Sequence, residues 1–284
     1  NYDWIYTTLR SYGFIKIHTD NMVRVWKKVN QGYLILVNGE NYARMFLDYT
    51  LPSIRRFDPY RPISVLTNIP EYFAHVDGLD HVMLYNPEKE FEQLGIPLDM
   101  SNGYDVWGTI PRFIELTRSP YAETVSLDCD LVCVSDRINE FWTRCTNMDQ
   151  DLIAIGEADE NNRGPSSWHW GYLHEVCEKT GVNIPQIGGQ CVYYRKCFDF
   201  LKTILPYYKT FETYGIKPWL RDKSPSEEIF FALYMGIKKY RPVPVDEGFI
   251  EHVTDYQPPK ERTAFVHIHS KDKQVMKQYT DTYS

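Results

Sequence analysis

Apolar positions along the chain fall in short runs, broken by polar, Gly- or Pro-containing stretches. The first clear run, "GYLILVNGENY" at 32–42, stops at Asn38-Gly39, as a buried strand feeding a loop does. In "YARMFLDYTLPSIRRF" the period changes, and Tyr42, Met45, Phe46, Tyr49 and Ile54 follow helical spacing. "RPISVLTNIP" and "HVMLYNP" read as second and third strands, ending at Asn68 and Asn86-Pro87. Helical spacing returns over Trp107–Tyr121, and Thr124–Leu127 is again strand-like. Strands alternating with helices predict an α/β fold with a largely parallel sheet.

The second half is less regular. "DLIAIGEADENN" reads as a strand entering a polar loop, and "RGPSSWHWGYLHEVCEKTG" as a loop and then a helix closed by Gly181. "IGGQCVYYRK" is a strand behind two glycines. "SPSEEIFFALYMG" starts a helix at Ser224 or Ser226, with Glu227 and Glu228 in its first turn. "RPVPV" and "TAFVHIHSK" are late strands. Residues 1–31 show no period and read as a packed N-terminal extension. No repeat or linker divides the chain. One domain is expected, with a nucleotide-binding half at 32–135 and an acceptor half at 136–284.

Charge and composition narrow the chemistry. The net charge of −7 argues against a nucleic-acid protein, which relies on Lys and Arg to neutralise phosphates. It leaves room for a small phosphorylated ligand held by a few cations or a metal. The 22 Tyr and 7 Trp supply flat faces for sugars or bases, although core packing is their commoner use. Six cysteines without a CxxC spacing, and no Asn-x-Ser/Thr site, point to a reducing, cytoplasmic setting. No apolar run is long enough to span a bilayer. The chain begins at Asn1 rather than Met, so a lumenal protein with a removed anchor also fits.

The candidate chemistry centres on "TVSLDCDLVCV" at 124–134, where Asp128 and Asp130 follow an apolar strand. Buried acids at alternate positions repel unless a cation pairs with them. In open α/β sheets the ligand site lies beyond the carboxyl ends of strands, and carboxylates there suit Mg2+ or Mn2+. Capping a turn is the plain alternative. In "AFVHIHSKDK" at 264–273, His267 and His269 alternate on one side of a strand and suit Mn2+ beside carboxylates. Lys271 or Lys273 suits a phosphate. Surface histidines near a terminus are the alternative reading.

Together these residues resemble the GT-A glycosyltransferases, in particular family-8-like members such as glycogenin and bacterial lipooligosaccharide galactosyltransferases. The resemblance rests on "LVNGENY", "IPRFIEL", "SLDCDLV", "IGGQCVYY", "PSEEIFF" and "HIHSKDK" in that order, over residues 32–273. It implies an α/β GT-A fold with a Rossmann-like sheet, and transfer of a sugar from a nucleotide-sugar, a UDP-sugar above all. It implies Asp128, Asp130 and His267 as metal ligands, with His269 as rival, and Mn2+ or Mg2+ as the ion. Donor contacts would come from Val37, Asn38, Tyr42, Asn68, Arg112, Asp128, Gly188, Gly189 and Lys273. Gly188 and Gln190 stand where the family carries Asn and Gly. Inverting members place an acid at the start of a helix like "PSEEIFF", so Glu228, then Glu227, is the candidate base; in retaining members no single residue has so clear a role, and the sequence fits either outcome. Both acids equally suit the helix dipole. Trp168 and Trp170 in "GPSSWHWGYLHE" offer faces for a sugar-bearing acceptor. The rivals are a nucleotidyltransferase on a related sheet and a carbohydrate-binding protein without catalysis. "VNGENYARM" lacks the basic, Gly-rich loop that the first of these needs.

Overall fold

The computed structural model describes residues 14–19, 24–28, 30–101, 103, 105–157, 177–178, 180–196, 199–214, 227–268 and 273–283. Of 14–19, 24–28, 210–214 and 273 it describes the backbone. Its strands are β1 (Phe14–Thr19), β2 (Arg24–Lys28), β3 (Gln31–Val37), β4 (Ile63–Thr67), β5 (His81–Leu84) and β6 (Glu123–Leu127). They continue with β7 (Leu131–Cys133), β8 (Leu152–Glu157), β9 (Gln186–Arg195), β10 (Val243–Pro244), β11 (Ile250–Val253) and β12 (Phe265–Ile268). The α-helices are α1 (Glu40–Met45), α2 (Leu51–Phe57), α3 (Pro87–Leu94), α4 (Ile110–Arg118) and α5 (Ile138–Asn147). Three more follow: α6 (Phe200–Tyr214), α7 (Glu227–Lys238) and α8 (Lys273–Tyr283).

A seven-stranded sheet runs in the order β10-β8-β9-β6-β3-β4-β5. The pairs β3–β4, β4–β5, β3–β6 and β10–β8 are parallel, whereas β9 lies antiparallel to both β6 and β8. The sheet is therefore mixed and mostly parallel, as the sequence leads one to expect. From β3 the chain builds outward to β4 and β5, then returns to place β6 on the other side. The crevice between the ends of β3 and β6 is the switch point where such sheets bind ligands.

Alternation along β3 divides the core. Tyr33, Ile35 and Val37 face a cluster with Ala43, Phe46, Ile54, Phe141 and Trp142. Leu34 faces the opposite cluster with Phe91, Phe113, Phe200 and Phe230. Both faces of the sheet are covered, so its strands read as unbroken apolar runs. A second sheet, β11-β12-β7, packs Val132, Val253, Val266 and Ile268 against Val275, Met276 and Tyr279 of α8.

Several elements departed from expectation. Residues 14–19 and 24–28, where the sequence shows no period, pair as two antiparallel strands, β1–β2. The first helix is interrupted by a π-helical turn, Phe46–Thr50, and a second π turn, Asp105–Thr109, leads into α4. The polar α3 relies on its ends: the Asn86 side chain accepts from Lys89 N, Pro87 opens the helix, and left-handed Gly95 closes it. Of the segment expected to form a loop and helix at 163–181, residues 163–176 and 179 lie outside the described residues.

Candidate metal centre

β6 ends at Leu127, and Leu131 N donates to Asp128 O across a tight turn. Asp128 and Asp130 therefore flank a turn instead of alternating along an extended strand. The turn is held from three sides. Thr50 Oγ1, at the end of the first π turn, donates to Cys129 O at 2.7 Å. Asp128 N donates to Gln190 O of β9 at 3.0 Å, and Ile268 N of β12 donates to Asp130 O at 3.2 Å. β7 then leaves the turn to pair antiparallel with β12, setting His267 opposite Leu131.

One ligand atom each from Asp128, Asp130 and His267 falls within a mutual 4.8 Å. His267 is 9% exposed, and its Nε2 lies 3.2 Å from Asp130 Oδ1. That oxygen is buried and has no hydrogen-bond partner among the described residues. Neighbouring oxygen ligands on a six-coordinate Mg2+ lie about 3 Å apart, given metal–oxygen bonds of about 2.1 Å. Two carboxylates and an imidazole also suit Mn2+. The donor set and its spacing thus fit a divalent cation.

Arg112 is no solvated helix residue. It is 6% exposed on α4, paired with Asp128, with Ser126 Oγ and, at 3.3 Å, with Glu115. Its guanidinium fixes the orientation of the Asp128 carboxylate. Glu115 is 1% exposed, and burial raises its carboxyl above the ordinary range while Arg112 pulls the other way.

Glu228 sits in the first turn of α7, and its Oε1 accepts from Gly189 N at 2.7 Å. Burial, with the charge of Glu227, pushes its carboxyl up to about 8, against the pull of Gly189 N and Arg112. Glu227 also acts on the charge of Arg112. The two acids and the metal cluster therefore share one electrostatic neighbourhood.

The β3 loop is built from the candidate donor residues. Asn38 Nδ2 donates to Trp107 O at 3.1 Å, and Gly39 N donates to Asn68 Oδ1 at 2.9 Å. Gly39 has φ +83, a left-handed conformation that favours glycine. Tyr42 is 52% exposed beside this loop. Val37 is fully buried in the core, backbone included, which leaves it closed to a ligand in this structure. The space above Gly188 and Gly189 is taken by protein. A Cβ on Gly189 would come within 2.8 Å of Glu228 Cγ, and one on Gly188 would meet the Gln190 side chain. The glycines here admit those two side chains. His269, Trp168, Trp170 and the Lys273 side chain lie outside the described residues.

Sequence reasoning missed Glu115, Gln190 and His252 as parts of this centre. Gln190 Nε2 and His252 Nε2 are 3.1 Å apart, and His252 Nδ1 is 3.1 Å from His267 Nδ1. Gln190 carried one signal, as a bulky residue directly after two glycines. His252 carried none.

No known family profile matches the chain, and no curated protein does. Solved structures match well. An active-site mutant of LgtC aligns with TM-score 0.53 at 12% identity, over 88% of this chain and 94% of that one. Mouse xyloside xylosyltransferase 1, in its apo form, gives 0.52 at 10%, over 85% of this chain and 98% of that one. The galactosyltransferase LgtC, in complex with donor and acceptor sugar analogs, gives 0.50 at 13%, over 88% and 94%. Identities this low carry architecture and leave function to the site. The chain is similar in structure to these glycosyltransferases across most of its length and shares their α/β GT-A fold.

Proposed function

We propose that the protein is a metal-dependent glycosyltransferase. It moves a sugar from a nucleotide-sugar, a UDP-sugar first, to a hydroxyl on a glycan, glycoprotein or lipid. The convergence of Asp128, Asp130 and His267 at the switch-point crevice supports this reading most. A divalent cation bound there supplies positive charge to a departing diphosphate.

The chain's own residues do the rest. Asp128, Asp130 and His267 hold the ion, and Arg112 keeps the Asp128 carboxylate in place. The β3 loop, with Asn38, Tyr42 and Asn68, receives the nucleoside. Lys273 assists the diphosphate, and Trp168 and Trp170 receive the acceptor; Gly188 and Gly189, expected beside the donor sugar, instead make room for Gln190 and Glu228. Glu228 takes the proton from the acceptor hydroxyl as its oxygen bonds to the anomeric carbon. The bond from that carbon to the diphosphate breaks, and the nucleotide leaves with the electron pair. A base must ionise to act, so the raised Glu228 carboxyl works best toward and above pH 8.

The test is nucleotide release from a panel of nucleotide-sugars with Mn2+, and with EDTA. Metal-dependent release from one donor, lost in Asp130→Ala, is expected. A folded protein that is silent toward every donor, with no thermal shift from UDP plus Mn2+, contradicts the reading. A thermal shift without release, across a broad acceptor panel, points instead to a binding protein.

A further inference from the structure

His252 stands directly beside His267 in the parallel β11–β12 ladder. Their rings meet edge to face, with centroids 5.1 Å apart and planes at 71°. The two Nδ1 atoms are 3.1 Å apart, and the other His252 nitrogen faces the Gln190 side chain at 3.1 Å. Gln190 is buried, and its backbone carbonyl already accepts from Asp128 N. A closed path therefore runs from the metal-binding turn through Gln190, His252 and His267 back to Asp130.

Two ring nitrogens at this separation share one proton, because two lone pairs or two N–H groups would repel. If His252 donates it, a neutral His267 carries its own proton on Nε2, the nitrogen that faces Asp130, and cannot ligate there. If His267 donates it, the Nε2 lone pair is open to a cation. His252 then carries its proton on Nε2, and Gln190 must accept. A half-turn of the amide presents its oxygen for that purpose. We propose that Gln190 and His252 are positioning residues that set the His267 tautomer, so that the Gln190 amide orientation switches the centre between a metal-ready and a metal-refusing state. This rests on the metal reading above.

Mn2+ binding, followed by loss of the free-ion paramagnetic resonance signal, tests it in the full chain. The variants are His252→Phe, His252→Asn, Gln190→Glu and the double variant Gln190→Glu/His252→Phe, each checked for folding by thermal unfolding. Loss of such supporting partners typically weakens metal affinity about 10–100-fold. His252 is exposed, and water can take part of its place, so about tenfold is expected for His252→Phe. His252→Asn keeps an acceptor oxygen and restores most of the affinity. Gln190→Glu can only accept, and binds at least as tightly as the native chain. The double variant loses that gain if the relay, and not added charge, produces it. Long-range 1H–15N spectra with Mg2+ should show the proton on Nε2 of His252 and on Nδ1 of His267. A folded His252→Phe binding Mn2+ within about twofold of the native chain, or a His252 proton on Nδ1 with Mg2+ bound, overturns the relay alone. A folded native chain that binds no Mn2+ overturns the metal reading, and the relay with it.

Discussion

The Glu228 carboxyl carries two opposed demands. Burial and Glu227 push it up to about 8, yet a base must be ionised. Its linkage to stability has a definite sign. The unfolded chain releases this proton near pH 4.3, the usual Glu value, whereas the folded chain holds it until about 8. The stability that the protonated form contributes is present below about pH 4 and is lost as pH rises through about 8. Glu228→Gln stays neutral throughout. Its melting temperature should therefore rise relative to the native chain between pH 5 and 9. On the order of 1 kcal/mol is expected in this half-open setting, or about 2–4 °C for a protein of this size. The same variant should lose about 100- to 10,000-fold in transfer rate if Glu228 is the base. A melting difference that does not change with pH would refute the buried, protonated carboxyl. Transfer within about tenfold of native would remove Glu228 from the chemistry.

At the scale of elements, β3 passes beneath a ring. A Cβ on Gly32 would collide with Tyr121, whose hydroxyl is tied to Ser64 on β4. Tyr121 precedes β6, so the contact locks β3, β4 and β6 together at the end of the sheet away from the crevice. Gly32→Ala should cost about 1–3 kcal/mol through overpacking, read as a lower urea midpoint. An unchanged midpoint would mean that the ring has room to move. The same elements show what could be read from the chain. β3, β4, β6 and β9 announced themselves as apolar runs because both faces of the sheet are covered. β7 and β11 did not, since three or four residues carry no period and their identity lies in their partners. Asp128, Asp130 and His267 stood out as chemistry in a strand context. Gln190 and His252 become meaningful only through contacts between residues 62 apart in the chain, and Glu115 only because Arg112 turned inward.

For the whole molecule, the candidate centre sits where two sheets meet. Asp128 and Asp130 lie in the turn that leaves the large sheet's β6, whereas His267 belongs to the small sheet. A cation held by all three would clip the sheets together. Mn2+ at about 100 times its Kd should add about 2.7 kcal/mol to stability, seen as a rise in melting temperature that Asp130→Ala abolishes. No such rise, at Mn2+ concentrations that saturate binding, would mean that the ion is held by something other than the folded centre. The pairing of Phe265 with Cys133 closes a loop of more than a hundred residues. Contacts so distant in the chain are slow to form and come after local ones. Competence to bind metal should therefore be a late event in folding. During synthesis it must wait until β12 has emerged, so that a chain still being made presents two acids but no third ligand to the ions around it.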